Sequence, residues 1–150
     1  MAKFEVMSEG AEGLSMDLKK LGRLTDEDAY TILEPAADVV KAKFADKIKA
    51  VFQQHTGKLA ASIQEFKKKA DGPFILVYPH GPHHRYKSRK KGSKTASAGE
   101  VAFVLEYGAP ARNIAATHWM ENSIQESDQE ITEAMQAGFD TLCDEKGIGR

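Results

Sequence analysis

Apolar residues fall along this chain in two rhythms. From Thr25 to Phe52 they recur in steps of three and four: Leu33, Ala36, Ala37, Val40, Phe44, Ile48, Val51 and Phe52. That is the period of one helix face. Thr25 followed by Asp26, Glu27 and Asp28 supplies an N-cap and an acidic first turn, which suits the positive end of a helix dipole. Lys41, Lys43, Asp46, Lys47 and Lys49 take the opposite face. Pro35, inside the pattern, predicts a kink or the true first turn of the helix. Upstream, Leu14, Leu18 and Leu21 predict a short helix ended by Gly22, and Phe4 and Val6 a short strand over Lys3–Met7.

Thr56 can cap a second helix, Lys58 to Lys69, with Leu59, Ile63 and Phe66 on one face. Asp71-Gly72-Pro73 then breaks the chain. Phe74–Tyr78 and Val101–Tyr107 are runs of strand formers, and both predict strands. Between them, residues 80–99 show no core pattern and predict a flexible basic loop at the tip of a hairpin. Thr117 caps a C-terminal helix with the stripe Met120, Ile124, Ile131, Met135, Phe139 and Leu142. Ser127 and Asp128 interrupt that stripe, and residues 146–150 form a frayed end. The expected order is β, α, α, α, β, β, α. This is an α+β fold: a small antiparallel β-sheet with a long basic hairpin loop, packed against long N-terminal and C-terminal α-helices.

Composition narrows the class. With 150 residues, 41% apolar and 29% charged, the chain suits a single folded domain over 1–150. No apolar run approaches the roughly 18 residues of a membrane span, so no membrane partner is expected. MAKFEVMSEG lacks the apolar centre of a secretory signal. The lone Cys143 excludes an internal disulfide, fits a reducing compartment and is expected to pack on the last helix.

Net charge is only −1, but it is unevenly placed. Residues 73–99 hold six cations and no acid; residues 100–150 hold three cations and ten acids. The cations are Arg85, Lys87, Arg89, Lys90, Lys91 and Lys94, with Tyr86 among them. Such a segment can neutralise phosphates and stack on a base, or meet an acidic surface on a neighbour. His80, His83 and His84 invite a metal, yet a flexible cationic loop cannot aim three imidazoles at one ion, so no metal site is expected. No nucleophile elbow and no glycine-rich phosphate loop is present, so neither catalysis nor a cofactor is expected. Glu106, the one carboxylate in an apolar run, is expected to cap a turn or pair with a nearby arginine.

Two segments together carry a resemblance. Thr56, Gly57, Leu59, Ser62 and Ile63 follow a long amphipathic helix in the order T-G-x-L-x-x-S-I. Glu106, Tyr107 and Gly108 then lead into Pro110, Ala111 and Arg112, and on to a helix opened by Trp119 and Met120. This layout resembles the minor tail-component family of long-tailed bacteriophages and prophages, akin to neck or tail-completion proteins. Asn113-Ile114-Ala115-Ala116 stands where the family often has a second proline-rich step. The resemblance implies a structural, non-enzymatic virion protein of the head–tail junction or tail end, assembled in the host cytoplasm. It further implies a ring of copies of itself, contacts with other neck or tail proteins, and possible contact with double-stranded DNA in the channel. The matching residues are expected to be structural. The alternative is a small DNA-binding protein using residues 85–94. A prophage-encoded toxin or enzyme would need a pocket of convergent titratable groups, which the sequence does not display.

Overall fold

The computed structural model describes residues 25–52, 57–88 and 92–147. The expected strand over Lys3–Met7, the helix over residues 14–24, the Thr56 cap and residues 148–150 lie outside them. Helix α1 spans Asp26–Val51 and a one-turn helix α2 spans Lys58–Ala61. Strands β1 (Ile63–Lys69), β2 (Pro73–Pro79), β3 (Pro82–Ser88) and β4 (Gly92–Ser97) follow. Helix α3 (Ala98–Tyr107), a 3-10 turn (Pro110–Arg112) and helix α4 (Trp119–Lys146) complete the chain. The fold is α+β, with β1 pairing β2 and β3 pairing β4 in two small antiparallel sheets.

Three expected elements change type. Residues 63–69 form a strand, not the second half of a helix. Ser62 ends α2, its N–H and its hydroxyl both donating to Leu59 O (3.1 and 2.7 Å). The strand-forming segment Phe74–Tyr78 then finds its partner through the turn in which Ala70 N–H donates to Gly72 O at 3.2 Å. Val101–Tyr107 is helical, not extended. Ser97 and Glu100 form a capping box: Ser97 Oγ accepts from Glu100 N–H (3.1 Å) and Glu100 Oε2 accepts from Ser97 N–H (2.9 Å). The inward residues Ala98, Ala102 and Glu106 are spaced by four. Finally, the expected flexible loop is a β-hairpin in register from Pro82↔Ser97 to Ser88↔Gly92.

The described residues divide into two compact units, one made of residues 25–39, 67–75 and 128–147, the other of the described residues within 40–66 and 76–127. In the first, the described core holds Tyr30, Ile32, Ala36, Ala37, Ile131 and Leu142. Ile32 is more deeply buried than Leu33, so the inward stripe of α1 is turned slightly from its expected line. Pro35 lies inside α1, whose first turn is at Asp26. Proline cannot donate to the carbonyl four residues back, here Thr31. Helix α4 passes close to that carbonyl at Gly138, where a Cβ would come within 2.8 Å of Thr31 O and 2.9 Å of Ile32 Cα and O. Lys67 pairs with Glu34 and lies over the Tyr30 ring, Lys69 pairs with Asp26, and Tyr30 Oη donates to Lys68 O (2.8 Å). These carboxylates raise both lysine pKa values, Lys67 through its hydrogen bond to Glu34 and Lys69 through that to Asp26.

Asp28 closes the N-terminus of α1. Its Oδ2 accepts from Thr25 N–H (2.9 Å), Thr25 Oγ1 accepts from Asp28 N–H (3.2 Å), and Lys146 Nζ donates to Oδ1 (2.9 Å). Lys146 is therefore tied down rather than part of a frayed end. The Lys146 hydrogen bond, then the Thr25 amide, hold the Asp28 pKa below its ordinary value. A carboxylate with a depressed folded-state pKa adds stability that is complete above the unfolded value of about 4 and lost as pH falls through the folded one. Wild type is accordingly expected to melt above Asp28→Asn at neutral pH, with the gap closing only in strongly acidic buffer. Thermal melts of both proteins across pH check this, and a gap unchanged down to acid would contradict it.

The core of the second unit is Phe44, Ile48, Leu59, Ala60, Ile63, Ala98, Ala102 and Trp119. Val51, expected on the inward stripe, is exposed. Ser127 does not interrupt α4's buried face. Ser123 and Ser127 are both buried, one turn apart on the inward side, while Asp128 is exposed.

Candidate functional site

Most of the sequence motif converges on the junction between α3 and α4. Helix α3 ends at Tyr107, and its last carbonyls have no partner within the helix. The segment leading into α4 supplies donors. Thr117 N–H and Oγ1 donate to Leu105 O (3.0 and 2.7 Å), and His118 N–H donates to Glu106 O (3.1 Å). Thr117 is thus a strap rather than the expected helix cap. The first α4 hydrogen bond, Asn122 N–H to His118 O (2.9 Å), makes His118 the capping position, at φ 49°. The open amides of α4 are met from another helix: Glu106 Oε2 accepts from Met120 N–H (2.7 Å) and Oε1 from Glu121 N–H (3.3 Å). Glu106 is 3% exposed. The sequence suggested a turn or an arginine as its partner; in the structure Glu106 instead caps a helix terminus.

Gly108 turns the chain at φ 78°, and Ala109 bridges Ile114 around the Pro110–Arg112 turn. Trp119, fully buried, donates from Nε1 to Ala102 O (3.3 Å) and meets Phe44 edge-on at 5.3 Å between ring centres. Tyr107 and Arg112 are exposed, Tyr107 with its ring 4.8 Å from that of Phe103. At the other motif, Gly57 takes the left-handed conformation that opens α2, Leu59 is buried, and Ser62 closes the turn.

Glu106, His118 and Glu121 bring potential metal-ligand atoms within 4.8 Å of one another. Both Glu106 oxygens already serve the α4 amides, and a helix N-terminus repels a cation. This cluster is a cap. Replacing Glu106 with Gln puts an NH2 group against a backbone N–H at a buried terminus. The expected loss is about 1–3 kcal/mol of unfolding stability, the range for a charge-assisted hydrogen bond left unmade. Urea denaturation measures it, and a change below a few tenths would remove Glu106 from this role.

The basic segment lies elsewhere. Arg85, Tyr86 and Lys87 are on β3, Tyr86 opposite Lys94 on β4, and Arg89, Lys90 and Lys91 lie outside the described residues. Two signals were readable and missed. Ser97-Ala98-Gly99-Glu100 announces a helix start. Gly92, which takes φ 69° at the start of β4, is the other, since glycine favours the positive φ found beside hairpin turns.

Comparison with known proteins gives one family. A sequence model of the family described as "Bacteriophage HK97-gp10, putative tail-component" matches residues 12–108. The match takes in Thr56–Ile63 and Glu106-Tyr107-Gly108, while Pro110, Arg112 and Trp119 lie beyond it. No curated protein and no solved structure matches the chain.

Proposed function

Because the chain belongs to the HK97 gp10-like family of bacteriophage tail components, we propose that it is a structural protein of the head–tail junction or tail end. In this reading it completes the tail or joins it to the head by forming a ring with copies of itself and with neighbouring tail proteins. The family match carries the reading. The motif chemistry agrees with it: Glu106, Gly108, Thr117 and Trp119 hold helix ends together, which is work for a scaffold rather than a catalyst. Head-to-tail contacts that close by rotation make rings. A chain with a cation-rich hairpin and an acid-rich C-terminal segment is suited to such contacts. Among the described residues no helix is long and apolar enough to cross a membrane, and the protein's place is the virion, assembled in the bacterial cytoplasm.

The test is a phage or prophage lacking this gene, with its particles viewed by electron microscopy. Unjoined heads and tails, or tails of aberrant end structure, are expected, with rescue by the gene in trans. Normal infectious particles would overturn the reading. The second reading, DNA contact through residues 85–94, rests on six cations without an acid in 73–99. Under it, binding to double-stranded DNA falls steeply with salt, and the slope shrinks as those lysines and arginines are neutralised.

A further inference from the structure

The hairpin places two histidines in an arrangement that a regular strand does not allow. Successive side chains of a strand point to opposite faces, so the rings of neighbouring residues stay apart. Here the ladder register passes from Pro82↔Ser97 to His84↔Ala96, leaving one extra residue on β3. Such a bulge re-aims side chains. His83 and His84 meet, with Nδ1 to Nδ1 at 2.9 Å, ring centres 5.1 Å apart and ring planes at 84°. The base of the hairpin is closed behind them by Ala98 N–H donating to Gly81 O at 2.8 Å. The pair therefore stands on a hydrogen-bonded backbone, so the flexibility that argued against a metal at these histidines is absent, while the cationic surroundings remain.

We propose that His83 and His84 form a two-nitrogen site for a divalent late transition ion, of the Ni2+ or Cu2+ kind. Two nitrogens each about 2.1 Å from a metal, at a right angle, lie about 3.0 Å apart, and the pair already has that separation. Right-angled nitrogen donors suit tetragonal ions, which also lead the affinity order of first-row metals. In the metal-free pair one Nδ1–H donates to the other Nδ1. On binding, that proton leaves Nδ1 and the ring is protonated at Nε2 instead, so both Nδ1 lone pairs face the ion and each ring stays neutral. Each ring must turn so that its lone pair points about 45° off the Nδ1–Nδ1 line, a rotation that the broad χ2 well of histidine permits. Water completes the coordination. The positive charge of this segment lowers the affinity for a dication.

The test is calorimetric titration of the full, tag-free chain with NiCl2. Wild type is expected to bind one ion per chain near pH 7.5 and much more weakly near pH 5.5, where imidazole is protonated. His83→Ala and His84→Ala are each expected to lose more than about tenfold in affinity, at least as much as the loss of an outer-shell partner. His118→Ala, which removes the imidazole beside Glu106, and His80→Ala, whose ring packs on Phe66 and Tyr78, are expected to bind as wild type does. Nickel broadening of the His83 and His84 ring signals in wild-type NMR spectra gives a readout without any substitution. No saturable binding, binding retained in both single variants, broadening at other histidines, or loss confined to His118→Ala would each overturn the proposal.

Discussion

Replacing Trp119 with alanine is expected to remove about 3–5 kcal/mol of unfolding stability, the range for truncating a large buried aromatic. The side chain is 0% exposed and enters the second unit's core beside Phe44, Ala98 and Ala102. Its loss opens a cavity at the start of α4, breaks the edge contact with Phe44 and leaves Ala102 O without the indole donor. Folded domains are stable by only about 5–15 kcal/mol, so this one change takes a large share. Trp119→Phe keeps the ring contact and much of the apolar area, and is expected to lose distinctly less. Chemical denaturation followed by circular dichroism measures both variants. Trp119 is the sole tryptophan, so wild-type fluorescence reports the same junction directly. A loss below about 1 kcal/mol for alanine, well under the range for such truncations, would show that α4 seats on the core without this anchor.

The second large effect is expected at Gly108. Its backbone sits at φ 78°, ψ 174°, a region nearly closed to residues with a Cβ. An added Cβ would also meet Ala116 N at 2.7 Å, Ile114 O at 2.8 Å and Ala115 C at 3.1 Å. All three are backbone atoms of the segment strapped to α3 by Thr117 and His118, so they cannot swing aside as a side chain could. Gly108→Ala therefore combines strain of about 1–3 kcal/mol with overpacking of about 1–3 kcal/mol. Gly57→Ala is the control. Gly57 also has positive φ, 59°, but nothing lies within 4 Å of its would-be Cβ, so only the left-handed penalty of about 1–2 kcal/mol applies. Unfolding curves of the two variants should separate clearly. Equal losses would mean that the turn relaxes and that crowding contributes nothing.

These two residues, with Glu106, explain why the Glu106-Tyr107-Gly108 motif stands out in a sequence that offers no catalytic pattern. The glutamate caps the helix that starts at Trp119, accepting from the amides of Met120 and Glu121, the glycine lets the chain double back, and the tryptophan locks the result. Each acts on backbone that the sequence alone cannot bring together.

The long helices were legible because their signals are local. Thr25 with three acids starts α1, steps of three and four carry it past Pro35, and the same period marks α4 after Trp119. The strand at Phe74–Tyr78 and the mixed α+β class were readable for the same reason. So was the family, whose short motifs survive as ordered text. What tertiary structure decided was the identity of segments whose local preferences are weak or contradictory. Val101–Tyr107 is made of strand formers, yet a capping box starts it as a helix and the small Ala98 and Ala102 let it pack in the core. Residues 63–69 could follow a helical face, yet β2 needed a strand beside it. The basic segment has no hydrophobic rhythm, because a hairpin held by its own ladder needs no buried face to set its register. Pairing, capping across helices and close backbone approach are non-local. Their energies depend on atoms far apart in the chain, and no spacing of residue types along it encodes the distance at which they meet.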